Sequence, residues 1–298
     1  MKDFQSYRND EVSLNERLIT FGKKRPKYNQ VIILAGGAGS GKGFVTETLI
    51  GIEAKVFDVD KLKEQVLHSK GIKDKIKKKF NIDVSTLDLK QSKDVSTLHE
   101  LVSNLKLDKK VKSTFLQAHT NVDRKPNIIF DVTMKDIKKL DSISRSVQEM
   151  GYKIENIHII WVVNELETAL QQNAERPRFV DPDIVRNTHE LVSQTVSSLL
   201  KNNSLMKYMN GDMWMVFNKK FSDAVLKFGD NGGSYTDSPQ IQKKLAKTKG
   251  EKYKYNPKTE VFYFKVKEQG KAPMNLSQIA DKYIEKIKAY VPNPEVWN

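Results

Sequence analysis

The sequence of 298 residues contains no cysteine. Disulfides, zinc–thiolate centres and thiol nucleophiles are therefore excluded, and a reducing compartment, the cytoplasm, is the expected location. Long apolar runs are missing too. None approaches the roughly 20 residues that span a bilayer, and the opening stretch Met-Lys-Asp-Phe-Gln-Ser-Tyr-Arg lacks the apolar centre of a secretory signal, so no membrane partner is expected. No internal repeat is visible. Acidic residues are in short supply, with 37 Asp and Glu against 51 Lys and Arg, a net charge of +14. That balance favours phosphate-rich partners without choosing between a nucleotide and a nucleic acid. Lysine carries most of it, and a diffuse lysine excess also serves solubility alone.

Against these absences stands one strong local signal. Val31-Ile32-Ile33-Leu34-Ala35 is an apolar, largely β-branched run that ends in Gly36-Gly37-Ala38-Gly39-Ser40-Gly41-Lys42-Gly43. Glycines there let the backbone turn its N–H groups around a phosphate, and a following helix adds the positive end of its dipole. The spacing fits the Walker A pattern G-x-x-x-x-G-K-[ST] at every position but the last, where Gly43 replaces the hydroxyl residue. Residues Gly36 to Gly43 are therefore expected to bind ATP, with Lys42 reaching its outer phosphates. Loss of the hydroxyl leaves magnesium to be held by phosphates, water and carboxylates elsewhere. Phe44, Val45, Thr48, Leu49 and Ile50 would give the following helix its apolar face.

Alternating apolar runs and helical stretches follow. Strands are expected at Ala54–Asp60, at 127–131, at 157–163 and at 214–217. Helices are expected after the second strand from Lys61, over Met134–Met150 with Gly151 as its stop, and from Glu165 onward with a break at Arg176-Pro177-Arg178. This order predicts an α/β fold: a doubly wound parallel sheet of the P-loop NTPase type, with ligand sites at the carboxyl ends of the strands. Residues 1–27 read as a lead-in with a short helix near 10–20, residues 28–219 as the P-loop core, and residues 220–298 as a small basic α+β extension. Within the core, 61–125 is a lysine-rich helical insertion of net charge +8, and 174–186 is an arginine-bearing lid that includes Arg186. In the extension, Asp230–Ser234 reads as a loop, Glu260–Val266 as an aromatic strand that pairs with Lys252–Tyr255 across a turn, and 276–290 as an amphipathic helix facing inward through Leu276, Ile279, Ile284 and Ile287.

Three groups of residues bear on chemistry. Asp58 and Asp60 end the second strand, where a carboxylate can accept a proton from an attacking hydroxyl; Asp60 also suits a helix N-cap, and both roles are compatible. Asp131, two residues before Thr133, ends a strand in the Walker B manner and fits a magnesium-linked or substrate-orienting role. Arg176 and Arg178 flank Pro177, and arginines on a closing segment neutralise charge that develops on a transferring phosphoryl group. An exposed helix with surface ion pairs is the alternative for them.

In this order the pieces resemble the zeta-toxin family of P-loop kinases, over about residues 28–200. Its strand ending Asp-Gly-Asp is matched by Asp58-Val59-Asp60, and its strand ending in an acid, one residue and a threonine by Asp131-Val132-Thr133. Its arginine-bearing lid is matched, at compressed spacing, by Arg176 and Arg178, whereas Gly43 departs from the family's Ser or Thr. The resemblance implies Asp60 as general base, Lys42 as phosphate clamp, Asp131 and Thr133 as magnesium or substrate positioners, and the two arginines as lid groups; Asp58, read from its place at the strand end, is a supporting, substrate-binding or metal-linked carboxylate. It implies an ATP- and magnesium-dependent transfer to a hydroxyl, with a UDP-amino-sugar as the first candidate acceptor. No residue pattern names that small-molecule, nucleotide-linked acceptor or a neutralising protein partner. Nucleic acid is the rival acceptor, through the basic segments 61–125 and 241–267, the latter of net charge +7 and interleaved with Tyr253, Tyr255, Phe262, Tyr263 and Phe264. A hairpin with those aromatics turned to the core reads the same way. A catalytically silent, nucleotide-dependent binding protein is the third reading.

Overall fold

A computed structural model describes residues 19–24, 26–58, 68–107, 124–176, 178–219, 232–234 and 260–298. The apolar run after Gln30 forms strand β1 (Val31–Ala35), buried along its whole length. β2 (Lys55–Asp58), β3 (Ile128–Asp131), β4 (Ile157–Asn164) and β5 (Met213–Lys219) lie parallel around it. The sheet continues through β6 (Gly232–Ser234) and β7 (Glu260–Lys267) in the order β2-β3-β1-β4-β5-β7-β6. β1 occupies an interior position, which is why its sequence is apolar on both faces rather than alternating.

Successive residues of β1 feed two separate cores. Val31, Ile33 and Ala35 join the larger one, beneath α4 (Ile137–Glu149), α6 (Pro182–Lys201) and α7 (Asp281–Tyr290). Ile32 and Leu34 face Val45, Leu49 and Ile50, together with Ile19 and Phe21. Both faces of the sheet are thus covered, as a parallel sheet requires. Between β2 and β3, helices α2 (Lys70–Phe80) and α3 (Ser92–Asn104) enclose a small core of their own, built on Ile76, Leu98, Leu101 and Val102. The lysines of α2 remain outside that core. The expected helix from Lys61 and the lead-in helix near 10–20 fall mainly outside the described residues.

The helix expected over 134–150 begins three residues late. Met134 adopts left-handed backbone (φ 54°), and the Asp136 side chain accepts from Lys139 N–H at 2.9 Å, capping α4 at Ile137. Its end agrees with expectation, since Gly151 takes φ 81°. Gly232–Ser234, expected as loop, is a short strand antiparallel to β7; three residues without a large side chain carry no strand signal in sequence, yet their backbone pairs normally. The C-terminal helix is also shorter than expected, with a 3₁₀ turn at Leu276–Gln278 preceding α7 (Asp281–Tyr290).

β7 runs antiparallel to β5 and contributes to both cores: Phe262 and Phe264 to one, Val261 and Tyr263 to the other. Its lysines are also engaged. Lys265 lies 3.4 Å from Asp212, and the buried Lys267 donates to Asn210 Oδ1 at 3.0 Å. Asp212 further accepts from Gly22 N–H (2.7 Å) and Gln269 N–H (2.9 Å), while its own N–H donates to His158 Nδ1 (2.8 Å). His158 therefore carries its proton on Nε2, directed at Gln30 Oε1 2.8 Å away, and burial pushes its pKa down to about 3. This network ties the amino ends of β4 and β5 to β7, at the end of the sheet opposite the glycine-rich loop that follows β1. The last residues pack against β4 and α6: Trp297 stacks on Trp161 of β4 (centroids 5.4 Å apart) and donates to Ser193 Oγ of α6. Among the described residues, no helix is long and apolar enough to cross a membrane.

Candidate functional site: a phosphate-binding loop between paired strand ends

The loop from Gly36 to Gly41 leaves β1 at its carboxyl end and enters the short helix α1 (Lys42–Phe44), which continues as a π-helical turn, Val45–Leu49. Gly39 and Gly41 take positive φ of 73° and 91°, conformations that favour glycine. A Cβ at Gly37 would overlap the His189 ring, one at Gly39 the Ala169 carbonyl, and one at Gly41 the Asn218 side chain. Glycine is thus called for by space at all three positions and by backbone at Gly39 and Gly41. Lys42 Nζ folds back over the loop, donating to the carbonyls of Gly36 (2.8 Å) and Gly37 (3.2 Å), and lies 3.6 Å from Asp131 Oδ1. The Ser40 hydroxyl is buried with no hydrogen-bond partner among the described residues. Such a loop, with an ammonium over it and an uncommitted hydroxyl within, fits a polyphosphate.

Registers place chemistry on both sides of it. Asp58, at the end of β2, pairs in register with Asp131 at the end of β3. On the other side, Asn164 near the end of β4 pairs with Asn218 near the end of β5. Three side chains hold the loop from outside: Asn164 Nδ2 donates to Gly39 O (3.0 Å), Asn218 Nδ2 to Ser40 O (3.1 Å), and His189 Nε2 lies 2.9 Å from Ala38 O. A carbonyl accepts only, so His189 carries a proton on Nε2; burial lowers its pKa. None of the three is among the site residues expected from the sequence. For the asparagines a signal exists, since each closes or nearly closes a long apolar strand at the end where ligands bind.

The remaining expected site residues fall as follows. Thr133 is partly buried, and its carbonyl accepts from Gly36 N–H at 3.3 Å, so the segment after β3 touches the start of the loop. Asp60 and Pro177 lie outside the described residues. Arg176 is partly buried and Arg178 buried, on the connection that follows α5 (Leu166–Ala174). α5 abuts the loop through Ala169. The connection is pinned: Asn173 Nδ2 donates to Val180 O (2.6 Å) and its Oδ1 accepts from Val180 N–H (3.2 Å), while Phe179 N–H donates to Leu89 O (2.9 Å) in the helical insertion. Arg186 makes an exposed pair with Glu167 at 3.7 Å, a surface contact of the kind that contributes little.

No group of three or more acidic or histidine side chains suited to a metal occurs among the described residues. Asp131, beside Lys42 and in register with Asp58, offers few carboxylate oxygens, which suits an ion that keeps water and phosphate oxygens in its shell, as magnesium does. Gly43 leaves room for the absent hydroxyl, because a Cβ there would meet nothing within 4 Å. We expect Gly43→Ala to stabilise the nucleotide-free protein by about 0.5–1 kcal/mol, since glycine in a helix is costly. Gly43→Ser should lower the magnesium concentration needed for half-maximal ATP binding. Thermal melts and a magnesium titration check the two.

A glycine loop leading from an interior parallel strand to a helix, with acids at neighbouring strand ends, defines a P-loop nucleotide-binding protein. The chain belongs to the zeta toxin family, whose sequence model matches residues 16–218. Membership supports a nucleotide-dependent kinase. No curated protein matches. Among solved structures, similarity extends to the chromosomal toxin–antitoxin system PezAT of Streptococcus pneumoniae, at 12% identity and a TM-score of 0.40, over 71% of this chain and 74% of that one. It extends also to AvrRxo1-ORF1:AvrRxo1-ORF2 with sulphate ions, at 13% identity and a TM-score of 0.39, over 72% of this chain and 60% of that one. The same complex with ATP matches at 11% identity and a TM-score of 0.34, over 72% and 58%.

Proposed function

We propose that the protein transfers the γ-phosphoryl group of ATP to a hydroxyl of a small nucleotide-linked acceptor, with a UDP-amino-sugar as the first candidate. The observation that carries this reading is Lys42, held over the loop between two of its carbonyls and Asp131. In the reaction, the acceptor oxygen forms a bond to the γ-phosphorus as the bond to the β,γ-bridging oxygen breaks, ADP leaves, and the hydroxyl proton passes to the Asp60 carboxylate. Lys42 holds the outer phosphates. Asp58 and Thr133 orient the acceptor, and Arg176 and Arg178 neutralise charge on the equatorial oxygens. Magnesium, held by Asp131, water and the phosphates, would neutralise the β- and γ-oxygens when bound.

Burial of Phe262, Tyr263 and Phe264 removes three of the five aromatics offered for stacking on single-stranded bases, which favours a small acceptor over a nucleic acid. The other two, Tyr253 and Tyr255, lie outside the described residues. The test is incubation with γ-labelled ATP and magnesium against nucleotide sugars, nucleosides and single-stranded DNA. Label on a UDP-amino-sugar is expected. Label on DNA would move the acceptor to a nucleic acid, and ATP binding without transfer to any acceptor would favour a silent binding protein.

A further inference from the structure

We propose that Asn164, His189 and Asn218 are positioning residues that set the phosphate-binding loop from its outer side. The inference rests on the reading of that loop as a triphosphate site. Three consecutive carbonyls, those of Ala38, Gly39 and Ser40, each accept from one of them, at 2.9, 3.0 and 3.1 Å. The donors come from three separate elements, α6, β4 and β5, at sequence separations of 151, 125 and 178 residues.

A trans peptide is planar, with its C=O and the following N–H on opposite sides. Drawing these three carbonyls outward therefore turns the N–H groups of Gly39, Ser40 and Gly41 toward the concave side, where a phosphate would lie. Ser40 N–H also makes a long contact, 3.3 Å, to Gly37 O. The helix dipole that follows acts on the same point. The fit of loop to bracket is close, since His189 and Asn218 are the groups that leave no space for a side chain at Gly37 and Gly41. His189 is buried and 2.9 Å from a carbonyl, which calls for the Nε2–H tautomer. Its element is held in turn by the C-terminal residues, through Trp297 on Ser193 and Val296 on Ser197. None of the three belongs to the loop motif or to the acids and arginines considered above, and each acts through the loop rather than on the substrate.

The test uses the full chain and ATP as the probe. His189→Phe keeps a ring and removes the donor; Asn218→Asp keeps the shape and replaces the donor with an acceptor. Each should weaken ATP binding about tenfold by calorimetry. His189→Gln, which returns a side-chain N–H at similar reach, should recover most of the loss. Affinities are compared where circular dichroism shows the variants folded. Nitrogen NMR of the unaltered protein gives a reading that needs no variant: His189 should be the Nε2–H tautomer, with its signals moving when ATP is added. Wild-type affinity in both His189→Phe and Asn218→Asp, failure of His189→Gln to recover, or an Nδ1–H tautomer would each overturn the proposal. Should the unaltered protein bind no ATP while the tautomer is as expected, the triphosphate reading is what fails, and the positioning role falls with it.

Discussion

Lys42→Ala is expected to abolish phosphoryl transfer and to weaken ATP binding by about 100-fold. Hydrogen bonds between an ammonium and phosphate oxygens are charge-assisted, and losing them at the outer phosphates costs about 3 kcal/mol, which corresponds to that factor. In the described structure the same ammonium is occupied by the carbonyls of Gly36 and Gly37 and lies near Asp131, so its position over the loop is fixed before any nucleotide arrives. Preorganisation of this kind means that binding replaces carbonyl contacts with phosphate contacts and orders little else. The substitution also leaves Asp131 without that cation, a partly exposed pair whose loss is worth no more than about 1 kcal/mol of stability. Calorimetry with ATP and a thermal melt separate the two effects. Unchanged affinity would refute the assignment of the loop.

What could be read in the sequence, and what could not, divides along a physical line. β1 and the loop were legible because an apolar strand, a glycine cluster and a lysine are local features, each demanded by the backbone next to it. The acids Asp58 and Asp131 were legible for the same reason, as polar residues ending apolar runs. Their placement opposite each other depends on strand order, which is set by how β2 and β3 stack beside β1, and no single segment carries that information. The donors on Ala38, Gly39 and Ser40 were missed because they come from more than a hundred residues away. β7 shows a different ambiguity. Three successive aromatics followed by Lys265 and Lys267 in Glu260–Lys267 read both as a basic surface and as an inner strand. The structure resolves it through burial on both faces and through the partners Asp212 and Asn210 that accept Lys265 and Lys267. Arg178 shows the same ambiguity: an arginine beside a proline reads both as a lid group and as part of an exposed helix with surface ion pairs, and its burial on a connection fastened by Asn173 and Leu89 speaks against the second.

Asp60→Asn is expected to leave ATP affinity near its original value and to slow transfer by 10²–10⁴-fold, the usual contribution of a general base. The carboxamide keeps the size and much of the hydrogen-bonding capacity of the side chain but cannot take the proton that the acceptor hydroxyl must lose. Turnover is measured with the acceptor that takes the label, and affinity by calorimetry with ATP, so that the chemical step and nucleotide binding are read separately. Asp58→Asn is the necessary comparison. Asp58 ends β2 in register with Asp131, beside the strand that leads into Thr133, and this position suits orienting an acceptor. Its loss should therefore act mainly on the KM for the acceptor, whereas the loss of Asp60 should act on kcat. Asp60 also suits a helix N-cap, and asparagine caps as well as aspartate does, so a role confined to capping predicts almost no change in turnover. A larger fall in kcat for Asp58→Asn than for Asp60→Asn would exchange the two roles and make the carboxylate paired with Asp131 the base.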